Sequence, residues 1–236
     1  MVRVLLTSIE PFGSHTVNSS SEAVRLVEAD PVPGVDLVVV ELSCVYGKAL
    51  RELRHVVDRV GPDVVVATGQ GGRRPDVTVE MVAVNLDDSG SDNRGNRPSD
   101  EPIVADGPAS YFSSLPVKKC VTAIREAGVP ASVSHSAGTY LCNHVAYGLA
   151  HLIATEHPEL RGGFVHIPFT PAQAAKDTRG RPPSMASATA AEALRAVIRT
   201  AVADLSPDDR SVHGAWSRRL RALTVLIRGR PAASAS

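Results

Sequence analysis

The feature that most constrains this chain is an alternation of short, β-branched-rich apolar runs with segments of helical spacing. Residues 2–7, 37–42 and 64–68 are runs of this kind, bounded by Pro, Gly or Asp, and they read as buried strands. Between them, residues 20–29 and 47–60 keep helical spacing, and Leu50, Leu53, Val56, Val57 and Val60 form one stripe. Further strands are expected at 77–84, 131–135 and 163–167, with a helix over about 142–157. Ser184 is the expected cap of a last main helix, in which Leu194, Val197, Ile198, Ala201, Val202 and Leu205 follow the helical period. Strand–helix alternation of this length calls for one α/β domain whose largely parallel sheet is covered by helices on both faces.

Two stretches break the pattern. Residues 86–114 are rich in Asp, Ser, Gly, Asn and Pro and read as a long surface excursion, a kind of segment that often carries function. Residues 206–236 read as an extension of the 1–205 domain. In it Trp216, Leu220, Leu223 and Ile227 lie beside Arg218, Arg219, Arg221, Arg228 and Arg230, the pattern of a basic amphipathic helix, and the end from Pro231 is expected to be disordered.

Charge decides what the whole chain attracts. Lys plus Arg number 25 and Asp plus Glu 25, so no global field draws nucleic acid or an anionic membrane, and neither is expected as a partner. The longest apolar run, near residues 35–46, is broken by Asp36, Glu41 and Ser43 and is unsuited to span a bilayer. No signal-peptide pattern opens the chain, so a cytoplasmic location is expected. Three cysteines without C-x-x-C spacing form neither a disulfide framework nor a zinc site, and the histidines show no H-E-x-x-H pattern.

Cys142 is the first candidate for chemistry. It stands where a Gly-containing loop after a strand gives way to a helix, and the free N–H groups of a helix N-terminus favour thiolate and can bind an oxyanion. The competing reading is a small buried hydrophobe, as most free cysteines are. His166 ends an apolar strand, where an imidazole needs a hydrogen-bonding partner, whether as the base of a cysteine nucleophile or as a satisfied core histidine. Glu80 lies within the apolar run 77–84, and a carboxylate there is rarely buried unless paired, so it is the candidate to orient the imidazole. Asp76, Asp87, Asp88 and Asp92 compete on chemistry but fall in or beside loops, where solvated carboxylates are ordinary. His144, His151 and His157 read as plain helix residues.

Several strings together resemble the pyroglutamyl peptidase I family of cysteine exopeptidases. They are Glu10-Pro-Phe-Gly13, Gly69-Gln-Gly-Gly-Arg73, Val79-Glu-Met-Val-Ala-Val-Asn85, Asp92-Asn and Gly107-Pro-Ala. Ser136-Ala-Gly-Thr-Tyr-Leu-Cys-Asn-His144 and Gly163-Phe-Val-His-Ile-Pro168 complete the set, in the family's order over about residues 3–205. The resemblance implies an α/β/α sandwich with a central, mostly parallel (mixed) twisted sheet. It implies a triad with Glu80 as orienter, Cys142 as nucleophile and His166 as acid/base. It also implies a substrate pocket at Ile9, Phe12, Asn18 and Gln70, no metal or organic cofactor, and a homo-oligomer, dimer or tetramer. The implied substrate is a peptide whose N-terminus is blocked by a pyroglutamyl residue.

Two strings depart from the family. Ser8-Ile9 replaces the usual Gly-Phe, leaving Phe12 as the one aromatic of that turn. Ser89-Gly-Ser-Asp-Asn93 is one residue shorter than the family's Ala-Arg-Ile-Pro-Asp-Asn and lacks its Arg, so the part of Arg73, Arg74 or Arg94 in the site is left open. The departures motivate an alternative, a triad-bearing amidase or acyltransferase acting on another small acyl group.

Overall fold

The computed structural model describes residues 1–178 and 180–205; the amphipathic helix and disordered end expected in the 206–236 extension lie outside the described residues. Strands β1 (Val2–Ile9), β2 (Val35–Leu42), β3 (Val64–Gln70), β4 (Val77–Glu80), β7 (Ala131–Ser134) and β8 (Arg161–Ile167) form one sheet in the order β2-β1-β3-β8-β4-β7. β2, β1, β3 and β8 run parallel to one another, β4 runs antiparallel to β8, and β7 is parallel to β4. The sheet is therefore mixed and mostly parallel, with β3 and β8 at its centre. β3 is buried along its whole length and β8 from its second residue on, which accounts for their continuous apolar runs.

Helices cover both faces. α1 (Ser19–Ala29), α3 (Val117–Glu126) and α6 (Ser187–Asp204) pack together on one side. α2 (Lys48–Val60) and α4 (Leu141–Thr155) pack together on the other, with α4 lying on β3 and β8. The α2 stripe is seated as its spacing requires, with Leu53, Val56 and Val57 buried. α2 then stops at Gly61, which takes the left-handed conformation at its C-cap and donates its N–H to Val57 O.

Three local expectations change. The run 77–84 is two strands, because the chain leaves the main sheet after Glu80. β5 (Val82–Val84) pairs instead with β6 (Ser110–Phe112) in a separate antiparallel ribbon. Ser184 does not cap the last helix; it bridges to Phe169, and α6 starts at Ser187. α3 and the short α5 (Pro171–Lys176) were unassigned from the sequence, although Val117, Cys120, Val121 and Ile124 carry helical spacing.

The excursion 86–114 is built rather than loose. Asp87 and Glu101 pair as an isolated bridge. The Asp92 carboxylate accepts from the backbone N–H groups of Tyr46, Arg94 and Asn96 and from the Asn96 amide. Asn93 donates to Glu10 Oε1 and Pro11 O, which ties the excursion to the turn after β1.

Candidate active site

Three elements of the main sheet and one helix bring the sequence-predicted residues together at the C-terminal ends of the central strands. Gly69 on β3 is in register with His166 on β8. Residues two apart on a strand share a face, so Phe164 and His166 stand on the same side of β8, and their rings lie 4.9 Å apart between centroids. Cys142 is the second residue of α4, which lies over that side. A Cβ placed on Gly69 would come within 2.9 Å of Cys142 Sγ and 2.8 Å of Phe164 Cζ. The thiol therefore sits directly above Gly69, on the strand next to His166, in space that only a glycine leaves open.

Glu80 completes the constellation from the other flank. Because β4 runs antiparallel to β8, Thr78 is in register with His166, and the Glu80 carboxylate reaches back along that face. His166 Nδ1 donates to Glu80 Oε1 at 2.7 Å, which leaves Nε2 of the neutral ring with its lone pair free to take a proton. Glu80, His166 and Cys142 are 2%, 4% and 7% exposed, so the site is almost closed to water.

Burial sets the charges. Burial raises the Glu80 carboxyl, but the hydrogen bond from His166, with help from Ser134 and the Arg74 charge, outweighs it and holds the group below the usual carboxylate range. Burial lowers His166 more than the Glu80 carboxylate raises it, so the imidazole is neutral at rest. Cys142 is where an expectation shifts. The helix N-terminus is present, but burial, with Cys44 and Glu80 nearby, pushes the thiol up to about 12, opposed only by Arg74. The resting pair is thiol and imidazole.

The N-cap residue of α4, Tyr140, makes no side-chain capping bond, so the first-turn N–H groups beside Cys142 stay available to a developing negative charge. The two residues after Cys142 brace the walls. Asn143 accepts from Val84 N and donates to Val84 O and Leu86 O. Gly47 N donates to His144 Nε2, so His144 Nδ1 carries the proton and donates to Asp87 Oδ2 at 2.7 Å. His144 and Asp87 are buried partners, not the plain helix residue and solvated loop carboxylate that spacing suggested; Asp92 is buried as well.

The pocket candidates are placed unequally. Ile9 is buried in the core cluster that also holds Cys142, with Phe12 packed against that cluster. Phe12 is not a solitary aromatic, since the Tyr140 ring lies 5.5 Å from it. Gln70 Oε1 accepts from Ser19 N and from Gln173 Nε2, which leaves the Gln70 NH2 uncommitted among the described residues at the end of β3. Asn18 is engaged inside the fold: its side-chain oxygen caps α1 through Ser20 N, and its NH2 donates to Glu10 O. Of the three arginines left open, Arg73 and Arg94 are exposed, whereas Arg74 pairs with Glu80 Oε1 at 2.7 Å. Its spacing six residues before Glu80 carried no signal of this.

The model of the pyroglutamyl peptidase family matches residues 2–204. A pyrrolidone-carboxylate peptidase of Streptomyces coelicolor is 52% identical over 90% of this chain and 97% of its own length. One from Escherichia fergusonii is 48% identical over 86% of this chain and 94% of its own. The crystal structure of pyroglutamyl peptidase I from Bacillus amyloliquefaciens superposes with a TM-score of 0.83 at 39% identity, covering 87% of this chain and 99% of that one. A mutant pyrrolidone carboxyl peptidase from Pyrococcus furiosus gives 0.83 at 34% identity over 87% and 100%. With the fold shared and the match running through the strands and helix that carry Glu80, Cys142 and His166, this chain belongs to the pyroglutamyl peptidase family of cysteine peptidases.

Proposed function

We propose that this protein removes an N-terminal pyroglutamyl residue from peptides, with Cys142 as nucleophile, His166 as general base and acid, and Glu80 as orienter. The observation that carries the reading is Cys142 Sγ above Gly69, the β3 residue in register with His166, whose Nδ1–H is held by an ionised carboxylate. With both partners neutral at rest, the thiol proton passes to His166 Nε2 as sulfur attacks the pyroglutamyl carbonyl carbon. The carbonyl oxygen takes the electron pair and is met by the first-turn N–H groups of α4. As the intermediate collapses, the C–N bond breaks and His166 hands its proton to the departing amine. Water, deprotonated by the same nitrogen, then attacks the thioester; the C–S bond breaks, pyroglutamate leaves, and the thiol is restored. Glu80 stays ionised throughout and compensates the transient imidazolium.

Support for the pocket comes from Phe12 and Tyr140, which offer flat faces to a lactam ring, and from the Gln70 NH2, a donor suited to a lactam carbonyl. The reading calls for no cofactor. A cytoplasmic location suits three free thiols, and a homo-oligomer is part of the same reading. Among the described residues no helix is long and apolar enough to cross a membrane. The alternative of another acyl group gains nothing from relatives that carry the peptidase name.

The test is release of a chromogenic amine from a pyroglutamyl amide under reducing conditions at neutral pH. Turnover is expected in the native protein and absent from Cys142→Ala. A folded native protein that fails to turn over this amide while Cys142 still alkylates overturns the substrate assignment.

A further inference from the structure

Glu80 Oε1 has two cationic or potentially cationic neighbours, His166 Nδ1 and Arg74 Nη1, each at 2.7 Å. Arg74 holds more than the carboxylate. Nη1 also donates to the Thr78 hydroxyl, and Nη2 donates to Ser136 O at 2.8 Å, in the turn that leads to Cys142. Its aliphatic stem runs across Gly71, whose missing Cβ would lie 2.8 Å from Arg74 Cδ and 3.1 Å from His166 Cβ. One arginine thus spans the orienting acid, the flank of the base and the approach to the nucleophile.

We infer that Arg74 is a positioning residue of the triad, which fixes the Glu80 carboxylate against His166 and biases the proton distribution between His166 and Cys142 with its own positive charge. The inference rests on the triad assignment given above. The charged and titratable groups facing this centre are Glu80 from β4, His166 from β8, Cys142 from α4 and Arg74 from the β3–β4 connection, with Cys44 and Tyr46 acting on Cys142 from the segment after β2. Against that set the sign is fixed. A fixed positive charge favours thiolate over thiol and disfavours imidazolium, so Arg74 lowers both the Cys142 and the His166 ionisations. It therefore makes the thiol easier to ionise while keeping His166 available as a neutral base. Lysine at this position keeps the charge but loses the fork that spans Glu80, Thr78 and Ser136.

Two readouts separate this role from simple support of the fold. The first needs no substrate: the rate of Cys142 alkylation by iodoacetamide between about pH 7 and pH 9, followed by mass of the Cys142 peptide. This range lies well below the thiol's ionisation, so the rate follows the thiolate fraction, and Arg74→Met is expected to slow it by about tenfold throughout, Arg74→Lys by less. The second is turnover of the pyroglutamyl amide. Arg74→Met is expected to lower kcat by roughly tenfold or more with KM within about twofold, because Arg74 contacts Glu80 and not Phe12 or Gln70. Gly71→Ala keeps the charge but crowds both the arginine stem and His166 Cβ, so it serves only as a control, expected to lower kcat with little change in the alkylation rate. Should Arg74→Met not fold, Arg74→Lys carries the test alone. An alkylation profile and kcat unchanged from native in folded variants overturn the inference. If the native protein does not hydrolyse the amide, the alkylation arm still decides Arg74, while the substrate assignment fails separately.

Discussion

Replacing Gly69 with alanine puts a methyl group where the Cys142 thiol and its aromatic neighbour already are. The new carbon would lie 2.9 Å from Cys142 Sγ and 2.8 Å from Phe164 Cζ, whereas ordinary contact begins near 3.4 Å. Sulfur and ring must each withdraw by about half an ångström, or the strand must bend. Neither move is free. Cys142 is fixed by the first turn of α4, whose next two residues are tied to β5, Gly47 and Asp87. Phe164 leans on the His166 ring. Overpacking of this kind costs about 1–3 kcal/mol, and in a chain of this size each kcal/mol lowers Tm by roughly 2–4 °C. The catalytic loss is larger in proportion. A misplacement approaching 1 Å can cost ~100-fold, so a retreat of half that is expected to lower kcat/KM by about ten- to a hundredfold. The assay is kcat and KM on the pyroglutamyl amide beside a thermal melt of the same preparation. A variant with the Tm loss but native kcat refutes the placement of the working thiol above Gly69. A variant with neither effect refutes the packing argument itself.

Other consequences follow from the same geometry. Asn143→Ala strands the Val84 N–H and the Leu86 carbonyl, while Val84 O keeps its bond from Leu86 N, and a urea melt is expected to show a loss of about 1–3 kcal/mol. Native stability should weaken as pH falls. His166 is held neutral by burial below its ordinary value near 6.5, so the unfolded chain binds the extra proton first; Glu80, held below its ordinary value, adds the same sign at lower pH. The urea midpoint should therefore fall between pH 7 and pH 5, and the slope should flatten in His166→Asn. A midpoint that rises over that interval contradicts the buried neutral imidazole.

The α/β architecture was legible because it is written in local periodicity. Runs such as 64–68 are buried on both faces, and helix stripes such as Leu53, Val56 and Val57 have one face against the sheet. The split after Glu80 was not legible, since Val77, Val79, Val82 and Val84 read as one β-branched run and only the partners of β4 and β5, β8 and β6, separate them. In the site, Cys142, His166 and Glu80 stood out as polar groups in apolar surroundings, and the structure brings them together. Arg74 and the His144–Asp87 pair did not stand out, because their partners are 6 and 57 residues away in a chain whose loops are full of charged groups. The burial that opposes ionisation of the thiol was not legible for a related reason. A helix N-terminus is visible in the sequence, but how deeply its first turn is buried is a tertiary property.

The strand order also bears on how the protein comes into being. Among the described residues β8 is the last strand, yet it lies between β3 and β4 and links the β2-β1-β3 and β4-β7 halves of the main sheet. On the ribosome, the first seven strands emerge while the keystone is still unsynthesised. Until then β3 and β4 each present a bare, largely apolar edge, the kind of surface that recruits other chains. Glu80 and Cys142 are made before His166, so the cluster of the three is incomplete until β8 closes the sheet. Insertion of one strand silences the sticky edges and completes the proposed site in the same event.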